Sequence, residues 1–276
     1  DIESYFDSID RKLLMEMLRQ RVNDESFMRL IGKCLHVGVL DGEQYTEPDT
    51  GTAQGSSLSP ILGNVYLHHV LDVWFEREVK PRLKGHAHLV RYADDFVIGF
   101  ELEHDAQRVM EALHKRMAKH GLRLHAEKTR LFPFNKPPYG QSGGKGPGTF
   151  DFLGFTLYWR RTRWRSWAQN FRTRTARLRR SQRAIEDYCR SQRHKSVKEQ
   201  HAALRRRVHG HINYFGVNGN VRNVARLVRA VERSWYKWLR RRSNRTRLTW
   251  QRFAKLLRAF PLPVPRVKAQ LWAKLT

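Results

Sequence analysis

A chain of 276 residues with 40% hydrophobic side chains carries enough apolar material for a large core, and its 53 Lys and Arg face only 26 Asp and Glu, a formal net charge of +27. A basic excess of that size points to a phosphate-bearing partner, and the lack of a run of about 18 or more apolar residues or a secretory leader argues against a helical membrane protein or a secreted precursor. Two cysteines, Cys34 and Cys189, are too few for a disulfide framework or a zinc site, so the expected setting is reducing and cytoplasmic, with no membrane partner.

The chain opens on Asp1-Ile2-Glu3-Ser4-Tyr5-Phe6-Asp7, a carboxylate on what reads as a short strand. Ser8-Ile9-Asp10 then leads into a helix whose period sets Leu13, Leu14, Met17 and Leu18 on one side. Asp7 or Ser8 is the expected N-cap, because a short polar side chain accepts from the free amides of the first turn. The run 51–67, GTAQGSSLSPILGNVYL, holds glycines that let a backbone approach a ligand closely. Within it, Ser59-Pro60 reads as an N-cap followed by the first helical residue.

Two apolar runs, His88-Leu89-Val90-Arg91-Tyr92 and Phe96-Val97-Ile98-Gly99-Phe100, flank Ala93-Asp94-Asp95, the pattern of a β-hairpin with acid at its tip. Taken alone, the acid pair suits an ordinary polar turn, where Asp is common because it bonds the nearby backbone. Adjacent carboxylates also repel, and folds hold them together where they share a cation. A third carboxylate brought beside them, Asp1, would complete a hard oxygen site suited to two Mg²⁺ ions and in-line phosphoryl or nucleotidyl transfer. His86, His88, His201, His209 and His211 make no such metal spacing and read as solvated or nucleic-acid-contacting side chains.

Beyond the hairpin lie Glu127-Lys128-Thr129 and then a stretch without apolar periodicity, 133–149, expected to be a mobile loop. Its Gly143-Gly144-Lys145-Gly146 lacks the spacing and following helix of a phosphate loop. Phe152-Leu153-Gly154-Phe155 follows, and rings alternate with guanidiniums from Tyr158 to Trp167. That alternation suits either stacking on nucleic acid or a core with arginines outward. Helices are expected over 171–190, 197–208 and 221–242, the last with Val224, Leu227, Val228, Val231, Trp235, Trp238 and Leu239 as a core-facing stripe. Pro261-Leu262-Pro263-Val264-Pro265 then forms a rigid extended tail.

Taken in order, the first block, the run 51–67, Tyr92-Ala93-Asp94-Asp95, Glu127-Lys128-Thr129 and Phe152-Leu153-Gly154-Phe155 resemble the motifs of a reverse transcriptase of the group II intron maturase type. The resemblance implies an α+β fold: a polymerase palm, an antiparallel sheet with packed helices, over 1–165, and a basic α-helical thumb and maturase-specific region over 166–276. It implies Asp1, Asp94 and Asp95 as catalytic metal ligands, joined by the carbonyl of Ile2, holding two Mg²⁺ ions that Mn²⁺ can replace. Phe6 matches the steric gate under the incoming sugar, and Gln54 and Gly55 lie in the nucleotide-binding block. Leu153 and Gly154 match the primer grip. His209-Gly210-His211-Ile212-Asn213-Tyr214-Phe215-Gly216-Val217 resembles the maturase-specific segment. Ala53 and Ser57 stand where the family commonly has Pro, which loosens a loop that proline would preorganise.

Charge follows the same division. Residues 1–150 carry 20 Lys and Arg against 21 Asp and Glu, whereas residues 151–276 carry 33 against 5. Basic side chains neutralise phosphates and release their counterions, so Lys128, Arg163, Arg165, Arg240, Arg241, Arg242 and Arg245 are the candidate RNA contacts. The partners implied are intron RNA, an RNA template with a DNA primer, deoxynucleoside triphosphates and a DNA target. Two other readings stay open: an RNA-binding splicing maturase with an inactive or incomplete polymerase, and another prokaryotic reverse transcriptase of retron, diversity-generating or CRISPR-linked type. The family places a basic fingers region before the first block, so a chain opening on Asp1 is expected to be a fragment.

Overall fold

In the computed structural model, which describes residues 2–36, 39–41, 44–46, 51, 57–138, 148–243 and 248–270, the first helix starts two or three residues later than expected. Asp10 is the N-cap of α1 (Arg11–Arg19), and its carboxylate accepts from the amides of Lys12 at 2.8 Å and Leu13 at 3.1 Å. Asp7 and Ser8 instead belong to the end of a 3₁₀ turn, Tyr5–Asp7, entered through Ser4 in the left-handed region. Asp24 caps α2 (Glu25–Leu35) in the same way as Asp10. A short antiparallel pair follows, β1 (Val39–Asp41) and β2 (Gln44–Thr46).

Helix α3 (Ser59–Leu67) has Leu58 as its N-cap, so Ser59 and Pro60 are both inside it, one residue from the expected register. It continues through two π-helical stretches, His68–Asp72 and Phe75–Val79, into a 3₁₀ turn at Lys80–Arg82. Strands β3 (Ala87–Tyr92) and β4 (Asp95–Phe100) pair antiparallel from Ala87↔Phe100 to Tyr92↔Asp95, which leaves Ala93 and Asp94 as a two-residue turn. Leu89, Phe96, Ile98 and Phe100 pack against the core, whereas Val90 and Tyr92 face out. Helix α4 (Glu103–Lys119) contributes Val109, Leu113 and Met117 at fourfold spacing to the same core. Asp105 in its first turn is buried, and one of its oxygens accepts from the amides of Lys84 and Gly85, both at 2.9 Å. These elements make up one compact unit, Asp1–Pro133.

The second unit, Phe134–Thr276, begins with a three-stranded antiparallel sheet of β5 (Phe150–Phe152), β6 (Phe155–Arg161) and β7 (Trp167–Thr173). The expected helix from 171 therefore starts only at α5 (Thr175–Ser191), because Phe171 to Thr173 pair with Leu157 to Phe155. Part of the expected mobile loop, 139–147, lies outside the described residues. Its beginning is pinned to the sheet, with Trp159 Nε1 donating to the Phe134 carbonyl and Trp167 Nε1 to that of Pro138.

Helix α6 (Val197–Phe215) opens on a reciprocal Ser196–Glu199 capping box and runs past the expected end at 208. It is followed by α7 (Val221–Arg240) and α8 (Trp250–Ala259). Val224, Leu227, Val228, Val231, Trp235 and Leu239 of α7 are buried in a core that also holds Ile185, Leu204, Ile212 and Phe253. Trp235 is fully buried, and its Nε1 donates to Gln200 Oε1 at 2.9 Å. The three-stranded sheet belongs physically with the helices, since the Phe155 ring packs against that same core. The chain is α+β, and among the described residues no helix is long and apolar enough to cross a membrane.

Candidate active site

Three separate stretches of sequence converge in the first unit. Ile2 makes an antiparallel bridge with Leu124, and the Glu3 amide donates to the Arg123 carbonyl at 2.8 Å, which seats the opening block beside the chain leaving α4. The Gly51 amide then donates to the Ile9 carbonyl at 2.9 Å, and the Gly51 carbonyl accepts from Arg11 Nε at 2.7 Å. Gly51 has φ +83°, and a Cβ there would lie 2.7 Å from the Asp7 Cα, so glycine is required for this approach. Its contacts anchor the run 51–67 on the opening block.

Helix α3 closes the arrangement. The Tyr5 hydroxyl donates to the Gly63 carbonyl, and the rings of Tyr5 and Phe6, 5.1 Å apart, rest where a side chain on Gly63 would otherwise stand. Burial pushes the Tyr5 hydroxyl well above its ordinary pKa; Arg91 opposes this and the nearby Asp94 carboxylate adds to it. Tyr5 therefore stays protonated and remains a donor. Phe6 is half-buried against α3.

Asp94 occupies the second position of the hairpin turn, and Asp95 begins β4. Ala93 before them has φ 54°, the left-handed geometry that suits two-residue hairpins but that alanine adopts at a cost. Among the described residues neither carboxylate has a hydrogen-bond or ion-pair partner, so their lone pairs are open to a hard cation. This donor set fits Mg²⁺. Among the described residues no group of three metal-ligating side chains occurs, and Asp1, the expected third carboxylate, lies outside them, as do Gln54, Gly55 and Arg245.

Arg91, which carried no expected role, is the centre of this region. Its Nε and one terminal nitrogen bond Asp72 at 2.7 and 2.6 Å, and the other reaches Asn64 Oδ1 at 3.0 Å and the Ala93 carbonyl at 2.9 Å. One signal was available in the sequence: Arg91 falls on the inward side of the β3 alternation, where a guanidinium needs partners.

In the second unit, Leu153 and Gly154 form the β5–β6 turn, both at positive φ. The Tyr214 hydroxyl donates to the Leu153 carbonyl at 2.9 Å, and the Phe215 ring lies about where a Gly154 Cβ would touch it. The segment 209–217 thus has a structural task, fastening the end of α6 to this turn. Asn220 extends the fastening: fully buried, it bonds the Thr173 amide and hydroxyl and the Phe215 carbonyl.

Of the expected RNA contacts, Arg163 and Arg165 lie on the exposed β6–β7 loop, with the Arg163 guanidinium 4.7 Å from the ring of Trp164, which is 71% exposed. Arg240 and Arg241 end α7 in solvent, Arg241 over the Trp238 ring. Arg242 differs, because its guanidinium donates to the carbonyls of Arg193 and Lys195 and holds the α5–α6 connection. Lys128 is exposed in the turn after Leu124, and its amide bonds the His125 carbonyl.

Comparison with known proteins places these features in a family. The family described as "Reverse transcriptase (RNA-dependent DNA polymerase)" matches residues 1–157. Group II intron-encoded protein LtrA of Lactococcus lactis subsp. cremoris is 37% identical over 89 residues, 30% of this chain and 15% of that protein. Protein YkfC of Escherichia coli (strain K12) is 28% identical over 197 residues, 59% of this chain and 47% of that protein. An uncharacterized 91 kDa protein in a cob intron of Schizosaccharomyces pombe is 43% identical over 76 residues, 28% of this chain and 9% of that protein. The chain thus spans less than half the length of each of these relatives. The family match covers more than half of the chain and takes in the opening block, α3, the Asp94–Asp95 turn and the Leu153–Gly154 turn together: the chain belongs to the reverse transcriptase family.

Proposed function

We propose that this chain carries the polymerase palm and the basic thumb and maturase-specific region of a group II intron-type enzyme, which copies RNA into DNA and binds intron RNA to assist splicing and mobility. What carries the reading is the pair of carboxylates, Asp94 and Asp95, without a partner among the described residues, on a turn braced by Arg91 within the family match. In the proposal Asp1, Asp94, Asp95 and the Ile2 carbonyl hold two Mg²⁺ ions. When bound, such ions lower the pKa of a primer 3′-hydroxyl and neutralise charge on the triphosphate and the departing pyrophosphate. Phe6 lies under the incoming sugar and excludes a 2′-hydroxyl, and Gln54 and Gly55 contact the templating pair. Leu153 and Gly154 support the primer end.

Nucleic acid is held in the proposal by the second unit, where cations far outnumber acids. Arg163 and Arg165 supply phosphate contacts beside the exposed Trp164, a ring able to stack on a base. Arg240 and Arg241 form a second patch, with Arg245 and Lys128 as further RNA contacts and Arg242 bracing its own loop. The test is primer extension on an RNA template with deoxynucleoside triphosphates and Mg²⁺, comparing the chain with its Asp94→Asn, Asp95→Asn variant. Extension is expected to fall by more than about 100-fold while RNA binding stays within about twofold, because the carboxylates act on the reaction and the arginines on the phosphates. Extension that persists in the double variant removes the proposed metal site.

A further inference from the structure

A basic residue one position from the Tyr92–Asp95 motif invites assignment to the triphosphate. The donor count argues otherwise. A guanidinium has five N–H groups in a fixed fork, and four of those on Arg91 are already engaged by Asp72, Asn64 and Ala93. The side chain is 11% exposed, and its bidentate partner Asp72 is 29% exposed. Little of the guanidinium is left to meet a substrate.

What Arg91 holds is specific. The Ala93 carbonyl shares a planar peptide unit with the nitrogen and Cα of Asp94, so fixing that oxygen fixes the plane from which the Asp94 side chain projects. This is needed because Ala93 sits at φ 54°, a conformation that an unbraced alanine would leave. The other two anchors lie on the long helix that follows the nucleotide-binding run: Asn64 in α3 and Asp72 at the end of the first π-helical stretch. Widened π turns re-aim side chains and are frequent at functional sites. Gly63, the neighbour of Asn64, receives the Tyr5 hydroxyl, so the same clasp reaches the opening block.

We infer that Arg91, through Asp72, Asn64 and the Ala93 carbonyl, is a positioning residue that fixes the direction of the Asp94 carboxylate and thereby sets the affinity of the site for divalent cations. The inference rests on the proposed metal role of Asp94. It assigns Asp72 and Asn64, remote in sequence from the acidic turn, to the same device.

A double-substitution cycle on this chain tests it, with Arg91→Lys, Asp72→Asn and their combination, each checked for an unchanged fold by circular dichroism and melting. Arg91→Lys keeps the charge and loses the fork, and Asp72→Asn keeps the shape and loses the ion pair. Mn²⁺ binding followed by electron paramagnetic resonance is expected to weaken about three- to tenfold in each single variant, and the combination to lie within about twofold of the worse single, since both act through one network. Amide exchange at Asp94 and Asp95 should quicken in all three. In primer extension, kcat should fall about tenfold or more with KM for the nucleotide within about twofold, the signature of lost positioning rather than lost substrate contact.

A KM increase without a kcat loss overturns the inference, as does a silent Asp72→Asn variant or effects on Mn²⁺ binding that multiply. If the unaltered chain binds Mn²⁺ but extends no primer, the proposed polymerase function fails while the Mn²⁺ and exchange measurements still decide the role of Arg91.

Discussion

Acidification should loosen the second unit through one histidine. His211 on α6 is 8% exposed, its ring centroid is 4.6 Å from that of Phe215, and its Nε2 is buried without a hydrogen-bond partner among the described residues. Burial lowers its pKa from 6.5 to about 4, and the nearby positive charge of Arg177 acts in the same direction. The native state therefore keeps this imidazole neutral over a range in which the unfolded chain takes up a proton. Between pH 6.5 and 4 the unfolded state binds more protons, so stability rises with pH: it is fully present above 6.5 and is lost as pH falls towards 4. At about 1.4 kcal/mol per pH unit, the whole interval corresponds to about 3 kcal/mol, a large part of the stability of an ordinary domain.

Urea unfolding at pH 7, 5.5 and 4, followed by tryptophan fluorescence, measures the effect. Seven of the eight tryptophans lie in Phe134–Thr276, so the signal reports chiefly on the unit that contains His211. Other groups titrate over the same range, and the informative quantity is the difference between the chain and its His211→Phe variant, which keeps a ring and takes up no proton. The variant is expected to lose about 3 kcal/mol less on going from pH 7 to pH 4. Because Phe215 also backs the Leu153–Gly154 turn, faster amide exchange in that turn should accompany the acid loss. Parallel stability curves for the two proteins, or a His211 resonance titrating near 6.5, refute the reasoning.

Two further substitutions probe the same unit at pH 7. Trp235→Phe leaves Gln200 Oε1 buried without its donor while the Gln200 amide keeps its three carbonyl partners, and a loss of about 1–3 kcal/mol is expected in denaturant unfolding; an unchanged midpoint would show that the bond contributes nothing net. Gly219→Ala places a Cβ 1.8 Å from Asn170 Oδ1 at a φ of +85°, which should cost about 2 kcal/mol or more through strain and displacement of Asn170. A midpoint within error of the parent would mean that this turn rearranges freely.

Elements whose cause is local are legible in the sequence. The β3–β4 hairpin was legible from alternating apolar residues around Ala93-Asp94-Asp95, and the α7 stripe from its helical period, because both signals repeat within a few residues. Elements whose cause lies across the chain are not. Phe171 to Thr173 adjoin an arginine-rich helical run, yet pairing with β6 makes them strand. The segment 209–217 reads as a motif of its own, yet α6 extends to Phe215 because Tyr214, Phe215 and Asn220 are fastened to β7 and the Leu153–Gly154 turn. Capping by Asp10 rather than Asp7 or Ser8 followed from the intervening 3₁₀ turn.

The sequence by itself determined the chemistry on offer: adjacent carboxylates at a hairpin tip, a run at 51–67 that resembles a family motif, and a basic excess confined to the second half of the chain. Each of these is a property of neighbouring residues or of composition. Only the tertiary structure decided how that chemistry is held. Arg91 and Asp72 are 19 residues apart, and Arg91 and Asn64 are 27 apart. Nothing local links them; they meet because the helix that begins with α3 and strand β3 pack on one shared core.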